Sequence, residues 1–526
     1  MKIRFIVPLL VISFSSSAQV ISSNIKEDPN YRTHTINWAM REKTDYQDGE
    51  NIIRIENTGN KLMQLGYTAR LSTVKHGINI LRIDASGKEI ATNKLENGER
   101  QFGPVRAVTT EFRNRIFMLY FKYDDKDSMR LFISEIDRKS LSLINTRFLF
   151  SYQQDNVGIL KMTRALENPI ISSFSPDSTK FLMAYQTPKN ELITCVFGEK
   201  LEVLRRNISK RGIPEKTALT DAFIENSGNA TLVISEDNSS FSTVPLKGIY
   251  MQKLDGKEKY QDYSGDEGNG FLLNCHLKNS KDNSKLYLFG DYSGAIGSAG
   301  IWTSELESDK LHISKPSYFP YTDELKQSVY KMGFGVKKKG DYGILDVDYQ
   351  LVEFDNGSFA VCGNPIARED NRRVYGMGDN TVHGYVIYYA GPLIMAYMDK
   401  NRKGKTFSMI RRNQNMSVGS EGIFIPYQDK LIVFYNDYKA NLKEGASEDK
   451  VNQKGGTIVH ELSLAYAVVD NNGVVKERKL LAEGVSRMNC FNTKLYQKRS
   501  ENKYEVPSES LDKKTDSYKV VEITIN

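Results

Sequence analysis

The sequence predicts an all-β chain assembled from one repeated unit of four antiparallel strands. Three observations carry that prediction. Alternating apolar runs recur along the chain, each ending in an acidic or small polar turn and followed by another strand. A second pair of strands, joined by a tight polar turn, precedes each such run. Apolar positions three and four apart, which a helical repeat would need, are absent from these units.

The strands of one unit are lettered a to d. The run Ile78 to Ile83 leads into Asp84, Leu131 to Ile136 into Asp137, Ile249 to Leu254 into Asp255, Leu393 to Met398 into Asp399, and Leu464 to Val469 into Asp470. With Glu199 and Ser308, these residues mark the c–d turns. The clearest a–b pair is Ile170 to Phe174, the turn Ser175-Pro176-Asp177-Ser178, and Lys180 to Tyr185. Pro176 fixes its own φ and Asp177 can accept from nearby backbone amides. The turns Asn226-Ser227-Gly228-Asn229, Lys281-Asp282-Asn283 and Asp355-Asn356-Gly357 sit between similar runs, the composition of tight hairpins.

Four-stranded units repeated radially make a β-propeller. Lys519 to Ile525 reads as a last strand c with no strand d after it. A ring must cover that edge. The N-terminal segment is expected to supply the strand, with His34 to Met40 as the candidate, giving eight blades, or seven if Met488 to Val506 does not form strands a and b. The segment Phe174-Ser175-Pro176-Asp177 resembles the turn of WD40-like, TolB-type propeller repeats. The whole chain resembles the exported β-propeller proteins common in Bacteroidota, including its Ala18-Gln19 junction. That resemblance implies a propeller in the envelope or outside the cell, and no particular activity.

Lys2 and Arg4, the apolar stretch Phe5 to Phe14 and Ser16-Ser17-Ala18 compose a cleaved secretory signal over residues 1–18. The expected organisation is this signal, an N-terminal segment 19–50 with the ring-closing strand, and a propeller over 51–526. A chain of 526 residues would ordinarily divide into about three domains, but no Pro/Gly/Ser-rich linker divides it, so one closed array is expected. No later run is long and apolar enough for a transmembrane helix. The formal net charge of +7 is small for this length, which excludes a dedicated nucleic-acid binder. Cys195, Cys275, Cys362 and Cys490 fall in different units and match no metal spacing, so free or buried thiols are expected. The 29 tyrosines and 24 phenylalanines suit the space between blades.

Three connections exceed what a propeller needs. In 322–340, Leu325, Val329 and Met332 share one helical face, Thr322 can cap the start and Gly333 can end the helix. The stretch 365–382 carries Arg368, Arg372, Arg373 and Tyr375, and 437–460 is rich in Gly, Lys and Glu. In antiparallel blades the d–a and b–c connections emerge on one face and the a–b and c–d turns on the other, so all three insertions share a face. Long loops on a rigid scaffold commonly carry binding residues. Arg368, Arg372, Arg373, Tyr375, His383 and His460 are therefore the binding candidates, the two histidines because they border the insertions.

The six histidines, His34, His76, His276, His312, His383 and His460, never stand at the close spacing of a zinc site, and no metal or other cofactor is expected. The others, His276 among them, read as strand or loop residues with satisfied hydrogen bonds. Asp124, Asp125 and Asp127 read as a solvated turn and Ser235 to Phe241 as a structural turn that faintly resembles the sialidase Asp box. Lys337 to Lys339 reads as a solvated turn, and neither a nucleophile elbow nor a phosphate-binding loop is present. Asp346 and Asp348 fall on one face of a strand near the channel and are the weak catalytic candidates. The functional expectation is a secreted or envelope module that binds a protein or a glycan through the insertion-bearing face. The alternatives are a carboxylate-dependent glycoside hydrolase or lyase, which requires acids from several blades to converge in one pocket, and a structural envelope protein.

Overall fold

The computed structural model describes residues 21–27, 43–57, 77–84, 88–96, 107–123, 128–153, 170–187, 190–209, 214, 216–236, 244–263, 270–344, 347–370, 373–374, 382–383, 386–412, 414–415, 421–442, 462–483, 489–491, 493, 496–510 and 519–525. Among them, eight antiparallel sheets contain at least four strands each. In chain order the first strands of the first seven are Lys43–Asp48, Ala107–Phe112, Ile170–Phe174, Thr217–Ile224, Leu272–Asn279, Val347–Glu353 and Ile423–Tyr427. Each is followed by its own strands b, c and d, and the chain is a β-propeller.

Burial follows the strand letter. In the third sheet, strands Phe181–Gln186 and Leu192–Phe197 are buried at every residue, whereas the outer strand Val203–Ser209 is mostly exposed. Strands b and c are short continuous apolar runs because both their faces meet another sheet. Phe117, Leu119 and Ile133 of the second sheet share one core with Phe181, Met183 and Ile193 of the third, and equivalent clusters join each sheet to the next as far as the eighth. Each fully buried side chain of this size contributes ~1.5–3 kcal/mol. The first strands of the third to seventh sheets contact one another in succession, which puts strand a at the axis.

The turns explain why acidic residues punctuate the sequence. Asp399 Oδ1 accepts from the amides of Asn401 and Lys403 at 2.8 and 2.9 Å, and Asp470 Oδ1 from those of Asn472 and Val474 at 3.0 and 2.8 Å. Asp84, Asp137 and Asp255 do the same in their turns. Backbone amides of Ser140, Lys257 and Lys403 hold the carboxyls of Asp137, Asp255 and Asp399 below the usual carboxylate range. In the a–b turn of the third sheet, Ser175 Oγ donates to Asp177 Oδ1 at 2.6 Å, the amides of Thr179 and Lys180 donate back, and Ser178 takes φ +54°. The fifth sheet repeats this network with Ser280, Asp282, Asn283 at φ +60°, Ser284 and Lys285, so Ser-x-Asp rather than the proline is the working part.

Contacts between turns establish the faces. Arg113 of one a–b turn pairs with Glu199 of a c–d turn at 2.7 Å, the amide of Asp177 donates to Asn226 at 3.0 Å, and Lys281 pairs with Asp355. The a–b and c–d turns thus share one face, and the b–c and d–a connections lie on the other.

An N-terminal strand does complete the last sheet, but it is Ile21–Glu27 rather than residues 34–40, which lie outside the described residues. It runs antiparallel to Lys519–Ile525, with Ile21 opposite Ile525 and Glu27 opposite Lys519. Ile21 packs on the core that holds Val521, Ile523 and Ile525. The next strand inward is Lys503–Ser510, and strand a is reduced to two short pieces, Asn489–Phe491 and Gln497–Lys498, which accounts for the weak strand pattern there.

Among the insertions, the helix is Asp323–Lys331. Thr322 accepts from the amide of Leu325, Leu325 and Val329 are buried, and Gly333 follows at φ +88°. A hairpin, Gly335–Lys338 with Asp341–Ile344, packs against the helix. The 365–382 stretch begins as strand rather than loop. Strand b of the sixth sheet, Phe359–Asp370, pairs with strand c as far as Gly363, then runs past the sheet and pairs with Val386–Ala390. Most of 437–460, beyond Leu442, lies outside the described residues, as do the signal segment 1–18 and Asp124, Asp125 and Asp127. Cys195, Cys275 and Cys362 are free and buried.

Candidate functional site

A cavity of about 280 Å³ opens where the first strands of three successive sheets meet, at their N-terminal ends. The fourth sheet contributes Thr220 and Asp221, the fifth Asn274, Cys275 and His276, and the sixth Val347 and Asp348. Ser235, Val244 and Ile366 complete the wall from strand ends and b–c connections. These strands enter from d–a connections, so the cavity lies on the insertion-bearing face.

Two of the three strands are irregular at this height. In Thr217–Ile224 the register slips between Leu219 and Asp221, leaving Thr220 as an extra residue, and Thr220 Oγ1 meets Ser235 Oγ at 3.0 Å. In Leu272–Asn279 the register slips between Leu273 and His276, so Asn274 and Cys275 oppose the single residue Gly290. Asn274 takes φ +44°. A Cβ on Gly290 would stand 2.4 Å from the carbonyl oxygens of both Leu273 and Asn274, so glycine is what lets this bulge close down on the next strand. Bulges re-aim the side chains that follow them, and here those residues are Asp221 and His276. Asn274 is held on three sides. Its amide donates to Val244 O at 3.1 Å, its Oδ1 accepts from the Val244 amide at 3.1 Å, and its Nδ2 donates to the buried Asp291 at 3.1 Å.

His276 links the two acids. Its ring lies against Phe289 at 5.6 Å and edge-on to Tyr349 at 6.5 Å. Burial pushes its pKa below the ordinary imidazole value, partly opposed by the negative charges of Asp348 and Asp221. Asp221 Oδ1 accepts from the Ala222 amide at 2.7 Å and Oδ2 from the Leu277 amide at 3.2 Å. Burial raises its carboxyl above the usual value, against those amides and the imidazole. Asp348 is exposed at the rim. Beneath His276, Tyr349 and Tyr321 share a hydrogen bond of 2.6 Å, and burial raises both phenols. Burial likewise pushes the Cys275 thiol well up, which keeps it protonated and unreactive.

Of the catalytic candidates, Asp348 is in the cavity and Asp346 lies outside the described residues. Of the binding candidates, the backbones of Arg373 and His383 pair in a two-residue ribbon, Arg368 continues the extended strand opposite Tyr388, and Arg372, Tyr375 and His460 lie outside the described residues. His276, read from sequence as an ordinary strand histidine with a satisfied hydrogen bond, is the one at the centre of the cavity, and its ring nitrogens make no hydrogen bond with the described residues. Asp221 and Asn274 drew no attention in the sequence. In Thr217–Ile224 the buried positions switch parity around Asp221, with 217 and 219 followed by 222 and 224, as a bulge requires, but the residue types, apolar at 218, 219 and 222–224, do not display that switch.

A second cavity, about 260 Å³, lies between the helix and strand d of the sixth sheet, lined by Phe319, Thr322, Leu325 and residues 405–409. It gathers no cluster of ionisable groups.

No family model and no curated protein matches the chain. Solved propellers do. The β-propeller domain of the Trilobed protease from Pyrococcus furiosus is 10% identical, covers 84% of this chain and 98% of its own, and has a TM-score of 0.30. The WD40 domain of SCAP from fission yeast is 8% identical over 95% of this chain and 98% of its own, with a TM-score of 0.31. A polysaccharide lyase is 9% identical over 80% and 89%, with a TM-score of 0.35. Likenesses this distant carry nothing about activity.

Proposed function

We propose that the chain is an exported propeller of eight blades that binds a glycan in the channel-mouth cavity, with the insertion-bearing face as its contact surface. Each of the eight sheets is counted as one blade. The observation that carries the binding reading is the convergence of hydroxyl, amide, carboxylate and imidazole groups from three successive first strands in one concavity. Val244, Val347 and Ile366 give the cavity an apolar wall beside these groups, so it combines apolar surface with a few convergent polar groups, the make-up of a small-ligand site. The Ser-x-Asp network repeated at Ser175 and Ser280 supports kinship with exported WD40-like, TolB-type propellers, and residues 1–18 have the composition of an export signal.

Exposing the full chain, without residues 1–18, to a glycan array tests the reading. Retained glycans are expected to be lost on His276→Ala and kept on Lys257→Ala, a change in a turn on the opposite face. Absence of any retained glycan overturns the reading.

One observation favours a second reading. Asp221 and Asp348 come from different sheets and line the same cavity, as a glycoside hydrolase requires. Both oxygens of Asp221 already accept backbone amides, however, which suits a fixed acceptor better than a proton donor. Release of reducing ends from a bound glycan, abolished by Asp348→Asn, would decide for hydrolysis.

A further inference from the structure

We propose that the cavity recognises a cation, the primary ammonium group of an amino sugar. This rests on the glycan reading and narrows it. Three features of the cavity lead to it.

The first is charge. Neither Asp221 nor Asp348 has a lysine or arginine partner among the described residues, and no lysine or arginine is among the lining residues. Several shielded carboxylates elsewhere do have one: Asp48 pairs with Arg82 at 2.8 Å, Glu135 with Arg115 at 2.5 Å and Asp437 with Arg478, whereas the half-buried Glu225 is held by Ser227, Asn229 and Ser308. The mostly buried Asp221 and the rim-exposed Asp348 thus bring two negative charges to one imidazole with no lysine or arginine beside them among the described residues, an arrangement that an arriving positive charge offsets.

The second is the imidazole. His276 is mostly buried, touches Phe289 and Tyr349 through its ring, makes no hydrogen bond with the described residues and lines the cavity. A neutral imidazole offers an acceptor nitrogen beside two carboxylates, and an ammonium carries three donors. The third is the remaining wall. The hydroxyls of Thr220 and Ser235 and the side chain of Asn274 suit sugar hydroxyls, and about 280 Å³ lies just below the range for drug-sized ligands, the scale of one sugar residue. A uronate would bring a third negative charge and is disfavoured.

The groups facing His276 are Asp221 from the fourth sheet, Asp348 and Tyr349 from the sixth, and its neighbour Cys275. Tyr349 and Cys275 stay neutral through burial. Acidification therefore acts first through Asp221, whose raised carboxyl loses its negative charge early, and later through His276, whose lowered pKa delays its positive charge. Both changes weaken cation binding.

Calorimetry on the full chain without residues 1–18 would compare a glucosamine tetramer with its N-acetylated counterpart at pH 7.5 and pH 5, with a tetralysine peptide as a third probe. The glucosamine tetramer is expected to bind at least about tenfold tighter than the acetylated one, to lose about tenfold on Asp348→Asn, and to weaken at pH 5. Asp348 is exposed, so this variant folds. Equal binding of the acetylated tetramer overturns the cation and leaves the glycan reading standing. Binding of neither sugar overturns both. Tighter binding of tetralysine than of any sugar overturns the amino sugar as the source of the charge.

Discussion

The amide of Leu277 donates to Oδ2 of Asp221, and this bond of 3.2 Å ties the first strands of two successive sheets together beside the cavity. The other oxygen of Asp221 takes the amide of Ala222 on its own strand. One carboxylate thus spaces the two bulged strands and faces the ligand space between them.

Asp221→Ala leaves both amides without that acceptor. A buried donor stripped of its partner costs about 1–3 kcal/mol. Urea denaturation is expected to show a loss in that range, and Asp221→Asn, which keeps one acceptor oxygen, is expected to recover part of it. Equal stability of the alanine variant and the parent would mean the amides find other acceptors.

Gly290→Ala places a methyl against two carbonyl oxygens of the neighbouring bulge. Overpacking of this kind costs about 1–3 kcal/mol, and here the give falls on Asn274 and the aim of His276. The melting temperature is expected to drop and glycan retention to fall with it. The control is Gly357→Asn, at a turn glycine with φ +76° on the opposite face, where asparagine tolerates the conformation and retention is expected to persist.

Much of this architecture was readable because it depends on local chemistry. Asp399 and Asp470 mark turns in the sequence for the same reason they stabilise them: a short carboxylate reaches amides two and four residues ahead. The helix after Thr322 was equally local. The closing strand was harder. Residues 34–40 alternate, whereas Ile21–Glu27 is polar apart from Ile21 and Ile25, and only its pairing with Lys519–Ile525 across the whole chain marks it as the closing strand. The cavity was hardest. Asp348 could be seen as an acid on a channel strand, but Asp221 and His276 reach it only through bulges, and a one-residue slip in register moves a side chain to the other face of its strand.

The a–b turn of the fifth sheet makes a pH prediction. Side-chain and backbone hydrogen bonds from Ser280 and Ser284 push the Asp282 carboxyl down to about 2. A folded-state value below the unfolded one contributes stability that is fully present above the unfolded pKa, near 4, and is lost as pH falls through about 2. Asp282→Ala is therefore expected to melt below the parent at neutral pH, with the gap narrowing between pH 4 and 2. A gap that stays constant across that window would contradict the assignment.

Arg478 and Asp437 make the last. Asp437 is fully buried and accepts from the Tyr438 amide and from Asn441 Nδ2, both at 2.8 Å, while Arg478 pairs with it and donates to Tyr435 Oη at 2.7 Å. Removing one partner of such a pair costs about 3–5 kcal/mol. Arg478→Leu is expected to lose that much in urea, and Arg478→Leu combined with Asp437→Leu to lose less than the single change.

The pairing of Ile21–Glu27 with Lys519–Ile525 puts the first residue of one strand opposite the last of the other at one edge, Ile21 facing Ile525. What every other sheet has at that place is a short acidic hairpin between strands c and d. The eighth sheet has the same geometry without the covalent link, so its missing turn is a nick rather than a gap. A linker copying the turn Asp470 to Gly473 would seal it, and the chain could then be opened at any other c–d turn. The order of the strands around the ring would survive, and only the place where synthesis begins would move.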